Sequence, residues 1–274
     1  MFVYQYQFGV LLVGTFFFPL LYISLRVLLQ RTHISRFGRA IVRDASNKAV
    51  STIQAILCVT SGAIIVANCH DDVMNDRHHL ATDYAWFGCP YMLYDVWSMY
   101  DVHRRMFSHV EPAALLRHFL CRRGLFIVHH LVLLAVFFPL VVHFRHDRGD
   151  FFVGCFYLAE FSTPFVSARS ILAKVYQKSS CVYLCNGLAM VVAFVVCRVA
   201  LFPFMYWCYG QQVGLSIAQV VMSIPLKCNV GCATVLLLQL YWLSVMLVGT
   251  YQVICGSNNE IASQEKQNSK QSVS

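Results

Sequence analysis

The chain has 274 residues, of which 58% are hydrophobic and only 12% are charged. A mean hydropathy of +0.58 is too high for a soluble globular domain and is typical of a protein with several membrane-spanning helices. The net charge of +8 comes without a basic patch interleaved with aromatic residues, so it indicates membrane orientation rather than nucleic-acid binding. The 12 cysteines include no CxxC motif, which argues against a disulfide scaffold.

Seven apolar stretches are long enough to cross a hydrocarbon core about 30 Å thick, which needs about 20 helical residues. They lie at residues 9–29, 49–68, 82–101, 124–144, 151–172, 183–207 and 229–254. The first stretch has no charged residue before it and is too long for a secretory signal, so we expect a retained helix. The sequence therefore predicts an all-α polytopic transmembrane bundle of about seven helices.

A further apolar segment, residues 211–226, is short and is closed by Pro225. Its length predicts an interfacial or re-entrant piece. An eighth membrane span is the alternative, and it would place the C-terminus on the opposite side of the membrane.

Basic residues are unevenly distributed between the two sides of the predicted bundle. One side of the bundle carries 14 of the 21 Lys and Arg residues, in the connections 30–48, 102–123 and 173–182 and in the tail from 255. The other side carries 4, in the N-terminus and the connections near 69–81, 145–150 and 208–228. The remaining three lie inside the predicted spans. Because the richer side is normally cytosolic, we expect a lumenal or extracellular N-terminus and a cytosolic C-terminus. The polar composition of residues 256–274 predicts a disordered cytosolic tail.

Ionisable side chains inside membrane spans are costly and mark candidate functional sites. His129 and His130 lie about 10 Å inside the cytosolic end of the fourth span, and Asp95 lies about 9 Å inside that of the third. Histidine is suited to the role of general base or nucleophile, and a nearby carboxylate can fix its tautomer. A pair of histidines that hydrogen-bond between helices and serve only packing is the alternative.

Other polar side chains in the spans are candidates for contacting a substrate. These are Gln54 and Asn186 in the cytosolic third, and Glu160, Ser162, Thr163, Gln239 and Tyr241 near the middle. On the lumenal side, the segment HDDVMNDRHH at 70–79 is rich in metal-ligating residue types. Its spacing fits neither a calcium loop nor a zinc-protease helix, so we predict a solvated loop and no metal site.

Four segments together resemble the TLC domain family (TRAM, Lag and CLN homology): VHHLVLLAVFFPL, GDFFVGCFYLAEFSTPF, NGLAMVVAFVVCRVALFP and QLYWLSVMLVG. The most similar branch is that of TLC domain-containing protein 3, which DDVMNDRHHL and YMLYDVW also resemble. The likeness covers residues 40–255. It does not include residues 1–39, which are the N-terminal helix and its cytosolic connection, or the tail, 256–274. It implies an endoplasmic reticulum or Golgi membrane protein whose six TLC helices surround a cavity that accommodates lipid.

Some members of that family are ceramide synthases, which transfer a fatty acyl group from acyl-CoA to a sphingoid base. The resemblance implies the same reaction here, with His129 and His130 catalytic, Asp95 orienting them, and acyl-CoA as a co-substrate without any bound cofactor. The chain departs from the motif of those enzymes at Leu133, where they have threonine, and at Glu160 and Thr163, where they have aspartates. A non-catalytic lipid-binding regulator of membrane composition and a transporter or cargo-binding protein are the alternatives.

Overall fold

The computed structural model describes the backbone of residues 2–176 and 180–271, and the side chains of residues 5–176 and 180–253. Within these residues the ordered elements are all helical, which confirms the predicted all-α fold. Six of the described helices are long and apolar enough to cross a membrane. A seventh, Leu80–Met106, has the length but a more polar sequence.

The helices, in chain order, are α1 (Phe2–Gln30), α2 (Arg39–Asn68), α3 (Leu80–Met106), α4 (Pro112–Phe144), α5 (Asp150–Val175), α6 (Cys181–Val213), α7 (Ile217–Ser223) and α8 (Leu226–Gln271). Each of the seven predicted spans lies inside one of the long helices. Two of these begin well before their apolar stretch, α2 at Arg39 and α4 at Pro112. The extensions form because Arg, Lys, Ala and Leu continue a helix outside hydrocarbon as readily as within it.

Prolines alter the winding of two helices near the candidate site. In α4, Pro139 separates two π-helical turns, Leu133–Phe137 and Leu140–Phe144. In α5, a 3-10 turn at Ala159–Ser162 comes just before Pro164. Proline cannot donate the backbone hydrogen bond to the residue four positions earlier, so the regular helical ladder is interrupted at both places.

The segment 211–226 does not form an eighth span. Its first three residues complete α6, which ends at Gly214 in the left-handed conformation (φ 69°). The seven residues of α7 extend about 10 Å, which is too short to cross a bilayer. This length agrees with the prediction of a short connecting piece.

The last helix continues beyond the apolar stretch. The backbone of α8 is helical to Gln271, through most of the segment 256–274 for which the sequence predicts disorder. Glu, Gln and Lys in this segment have good helix propensity, whereas the disorder prediction follows from low hydrophobicity. Side chains beyond Val253 and residues 272–274 lie outside the described part of the chain, and disorder of the tail in solution stays a prediction.

The chain divides into two compact units, Met1–Ser167 and Ala168–Ser274. In the first unit, α2 and α5 cross so closely that a Cβ added to Gly62 would lie 2.7 Å from the carbonyl oxygen of Gly154. Small residues at such crossings let helix backbones approach each other. The α1, α2 and α3 helices pack around a buried cluster of Phe18, Tyr22, Val50, Tyr91 and Tyr94.

In the second unit, polar side chains connect α6, α7 and α8. The Tyr206 hydroxyl donates to Asn229 Oδ1 at 2.8 Å, and Asn229 Nδ2 donates to the carbonyl oxygen of Val221 at 2.7 Å. The Arg169 guanidinium lies 4.4 Å from the centre of the Tyr183 ring, a distance typical of a cation–π contact.

Candidate active site

The centre of the candidate site is a buried pair formed by His130 on α4 and Asp95 on α3. His130 Nε2 lies 3.1 Å from Asp95 Oδ2, and the two side chains are only 12% and 9% exposed. On the other side of the ring, His130 Nδ1 lies 2.8 Å from the carbonyl oxygen of Phe126, one helical turn earlier. The structure thus brings together two of the three residues that the sequence nominates as catalytic.

These two contacts constrain the protonation of the His130 ring. A carbonyl oxygen can only accept a hydrogen bond, so Nδ1 carries a proton, and an ionised carboxylate requires a proton on Nε2 as well. In a catalytic triad, by contrast, the carboxylate holds one ring nitrogen and leaves the other as the base. Nδ1 of His130 is therefore a hydrogen-bond donor, and the ring carries a positive charge when Asp95 is ionised.

Asp95 is held in turn by α2. Asn47 Nδ2 donates to Asp95 Oδ1 at 3.0 Å, and the Tyr94 hydroxyl donates to Asn47 Oδ1 at 3.2 Å. Asn47 is buried, so its amide is committed to these partners. One turn along α2, Ser51 Oγ accepts from the Tyr91 hydroxyl at 3.0 Å. Both carboxylate oxygens of Asp95 consequently have a donor.

Asn47 and Tyr94 are site residues that the sequence reasoning missed. The available signal is the spacing of Asn47, Ser51 and Gln54, which places three polar side chains on one face of a helix. Hydropathy starts the second span at residue 49 and leaves Asn47 in a connection, whereas α2 begins at Arg39.

His129 lies beside this pair. Its ring centre is 5.7 Å from that of His130, and the two rings are nearly perpendicular, at 82°. Its side chain is half-buried. Adjacent positions on a helix diverge by about 100°, so the two imidazoles present different faces to their surroundings.

A small apolar cavity of about 180 Å³ opens beside His130 between α3 and α4. Leu93 and Trp97 in its wall are each 57% exposed, so the cavity is a groove on the outer surface of the first unit. A groove on a membrane-spanning helix faces hydrocarbon, and its apolar lining suits an alkyl chain. The side chains that line it are Met92, Leu93, Val96, Trp97, His130, Leu131 and Leu134.

Glu160, Ser162 and Thr163 meet at the 3-10 turn of α5. Thr163 Oγ1 donates to Glu160 Oε2 at 2.5 Å, and Ser162 is fully buried. The Glu160 carboxyl group lies within electrostatic range of His130. These three predicted substrate-contacting residues therefore belong to the same unit as the histidine pair.

Gln54 has a different partner. Its Nε2 donates to the Tyr84 hydroxyl at 3.2 Å, and that hydroxyl donates to the Gln54 carbonyl oxygen at 3.0 Å. Tyr84 precedes Asp95 by about 16 Å along α3. Gln54 thus joins α2 to α3 at a level removed from His130.

Asn186, Gln239 and Tyr241 belong to the second unit. Asn186 on α6 is half-buried and Tyr241 on α8 is exposed. Gln239 is buried, and its Oε1 has no hydrogen-bond donor among the described residues. Of the two α8 candidates, Gln239 is therefore the one that faces the interior of this unit.

The loop between α2 and α3 uses its acidic side chains to form its own turns. Asp72 Oδ2 accepts from Asn75 Nδ2 at 2.8 Å, and Asp72 Oδ1 accepts from the backbone N–H groups of Met74 and Asn75. These bonds, above all the one from the Asn75 side chain, lower the pKa of Asp72. Burial, together with the neighbouring His79, lowers the pKa of His78. Among the described residues, no group of three or more His, Cys, Asp or Glu side chains is placed to hold a metal ion.

A family model for the TLC domain matches residues 44–248. The chain belongs to the TLC domain family. The matched range runs from α2 into α8 and includes Asn47, Asp95, His129 and His130, whereas α1 lies outside it. The TLC domain thus contains the whole network around His130.

The TLC domain relatives include TLC domain-containing protein 4-A of Xenopus laevis, which is 27% identical over 227 residues, covering 80% of this chain and 79% of that protein. Protein 4-B of Danio rerio is 28% identical over 136 residues, 48% of this chain and 49% of its own length. TLC domain-containing protein 4 of Homo sapiens is 29% identical over 152 residues, which cover 53% of this chain and 55% of that protein. The matches thus span about half the length of two of these relatives.

These names correct the finer resemblance drawn from the sequence. DDVMNDRHHL and YMLYDVW indicate the branch of TLC domain-containing protein 3, but the relatives found are called protein 4. No solved structure matches the chain.

Proposed function

We propose that this TLC domain protein is a membrane N-acyltransferase of the ceramide synthase type, which transfers a fatty acyl group from acyl-CoA to a sphingoid base. The supporting observation is the buried His130–Asp95 pair, with His129 beside it, at an apolar groove that opens to the outer surface of the helices. A groove of this kind can hold an alkyl chain while the reacting carbonyl lies near the imidazoles.

The chemistry assigns different work to the two histidines. The amine nitrogen attacks the thioester carbonyl carbon, the C–S bond breaks, and the proton lost by the amine ends on the sulfur of free CoA. A base must hold that proton between the two events. With Asp95 ionised, both His130 nitrogens carry protons, so we assign the role of base to His129 and the stabilisation of the developing oxyanion to the positive charge of His130.

This proposal sets the roles of the surrounding residues. Asp95 and Asn47 position the His130 ring, and Glu160 adds negative charge within electrostatic range of it. The substrates are a fatty acyl-CoA and a sphingoid base, both embedded in or reached from a membrane of the endoplasmic reticulum or Golgi. The cytosolic side supplies the acyl-CoA.

The test is acyl transfer by variants of the full chain purified in lipid nanodiscs. We expect His129→Ala to lower the rate of N-acyl product formation by about 100-fold or more, since a positioned base contributes about that much. His143→Ala is the matched control, because His143 lies on the same helix and is exposed. Equal rates for the two variants would contradict the assignment of His129 as base.

A non-catalytic lipid-binding role is the second candidate. It is favoured by the same hydrogen bonds that occupy both His130 nitrogens, since a packing pair would be held in this way. Leu133, where ceramide synthases have threonine, also agrees with it. In that role the groove binds a lipid chain, and neither histidine variant affects a covalent step.

A further inference from the structure

Three arginines converge on one carboxylate at the predicted cytosolic ends of α2 and α3. Arg43 Nη1 lies 2.8 Å from Asp101 Oδ2, and Arg104 Nη2 and Arg105 Nε each lie 3.2 Å from an Asp101 oxygen. The Asp101 side chain is 11% exposed, whereas those of Arg104 and Arg105 are 53% and 39% exposed. The carboxylate is therefore inside the cluster, the guanidinium groups of Arg104 and Arg105 face outward, and the Arg43 side chain is only 22% exposed.

This cluster has the composition of an anion site. Three positive charges share the one negative charge of Asp101, which leaves these four side chains with a net charge of +2 that attracts a further anion. Each guanidinium has five N–H donors in a planar fork, and Asp101 occupies only one or two of them. Such forks match the oxygens of phosphate groups bidentately, which makes arginine the preferred residue for phosphate recognition.

The cluster shares its helix pair with the candidate active site. Arg43 and Asp101 join α2 to α3, and Asn47 and Asp95 join the same two helices further along. Along the axis of α3, Asp101 lies about 9 Å from Asp95, and Arg105 lies about 15 Å from Asp95. Along α3 the arginine cluster therefore comes first, and the polar pair with His130 follows, with the apolar groove at the level of that pair.

An acyl-CoA has the same order of groups. Its phosphates are at one end, a flexible pantetheine arm follows, and the thioester joins that arm to an alkyl chain. With the phosphates at the arginines and the chain in the groove, the thioester comes to the level of His129 and His130. The lengths are compatible because the pantetheine arm is flexible and can bridge a gap of about 9–15 Å.

We propose that Arg43, Arg104 and Arg105 form a binding site for phosphate groups, and that its ligand is the nucleotide end of an acyl-CoA. The choice of acyl-CoA rests on the proposed acyltransferase function. The phosphate site itself does not, because an inositol phospholipid headgroup presents the same chemistry at a membrane surface.

The experiment measures binding without turnover. Full-length protein in nanodiscs of neutral lipid is titrated with CoA, and separately it is placed in nanodiscs that contain a phosphoinositide. The test variant is Arg104→Gln with Arg105→Gln. Its control is Arg31→Gln with Arg36→Gln, which removes two exposed positive charges on the same predicted side. Arg43→Lys keeps the charge but not the planar fork and adds a conservative variant.

We expect the test variant to weaken CoA binding by about tenfold or more, because a charge-assisted hydrogen bond contributes about 1.5–3 kcal/mol and about 1.4 kcal/mol corresponds to tenfold in Kd. The control should bind as the wild type does. Cluster-dependent binding of the phosphoinositide, without any of CoA, would keep the phosphate site and assign it to lipid.

Two results would overturn the phosphate site: binding of neither ligand, or equal weakening by the test and control variants. Retention of the monodisperse elution profile and unfolding temperature shows that the variants are folded. Cluster-dependent CoA binding by a protein that forms no N-acyl product would refute the acyltransferase function and leave the site standing.

Discussion

Replacement of Asp95 tests the energetics of the pair with His130. Asp95→Ala removes the acceptor of His130 Nε2 at 3.1 Å and that of Asn47 Nδ2 at 3.0 Å. It leaves two buried donors without a partner. Loss of one member of a buried ion pair costs about 3–5 kcal/mol in soluble proteins, whereas interhelical hydrogen bonds in membranes average about 0.6 kcal/mol each. Because both side chains are nearly buried, we expect the larger effect to dominate and the free energy of unfolding to fall by about 3 kcal/mol.

Asp95→Asn should cost much less. The amide oxygen can still accept from Asn47, and the amide NH₂ group can donate to His130 Nε2 once that nitrogen has released its proton. All the hydrogen bonds are then restored around a neutral ring. The expected loss is about 1 kcal/mol, the size of one ordinary hydrogen bond.

Two measurements check these values. Unfolding in detergent, followed by tryptophan fluorescence, gives the free energies for Asp95→Ala, Asp95→Asn, Asp95→Leu, His130→Leu and the double variant Asp95→Leu with His130→Leu. Nitrogen-15 NMR of labelled histidine should show both His130 ring nitrogens protonated in the wild type and one in Asp95→Asn. Strictly additive losses, or equal losses for the alanine and asparagine variants, would refute the coupling of the pair.

Three further predictions concern the rest of the molecule. Gly62→Ala should lower the free energy of unfolding by about 1–3 kcal/mol, because the added Cβ would collide with α5. The control Gly124→Ala, whose added Cβ has nothing within 4 Å, should be neutral or stabilising. Equal effects of the two substitutions on the free energy of unfolding would contradict the close crossing of α2 and α5. Both Asp72 and His78 have lowered pKa values from ordinary values of 3.8 and 6.5, so their contributions to stability are lost as the pH falls, first below 6.5 and then below 3.8. The protection factors of residues 69–79 in hydrogen exchange, taken relative to the intrinsic rate at each pH, should therefore fall on acidification; unchanged or greater protection would contradict this prediction. A C-terminal epitope should be accessible when only the plasma membrane is permeabilised and an N-terminal one should not; finding both on one side would refute the predicted topology.

The seven long helices could be predicted because a bilayer demands about 20 apolar residues for each crossing, and every stretch of that kind is found inside one helix. Their ends could not, because residues outside hydrocarbon leave no hydropathy signal. For this reason α2 begins at Arg39, before its apolar stretch, and hydropathy places Asn47 in a connection although it contacts Asp95.

Depth along a helix could be predicted, whereas rotation about its axis could not. The rise of 1.5 Å per residue put Asp95 and the histidines at similar levels, and the structure pairs Asp95 with His130. The same calculation grouped Gln54 with them, yet Gln54 bonds to Tyr84. The protonation of His130 also lay beyond the sequence, since one acceptor is the backbone carbonyl of Phe126.

The proposed acyl transfer takes place at the groove beside His130, with His129 as the base. The most direct measurement gives folded, wild-type protein in nanodiscs a long-chain acyl-CoA and sphinganine, and quantifies the N-acyl product and free CoA thiol together. We expect equal amounts of the two products, formed over many turnovers per protein. Folded protein that forms no product across a range of acyl chain lengths and acceptor amines would contradict the claim and favour the lipid-binding role.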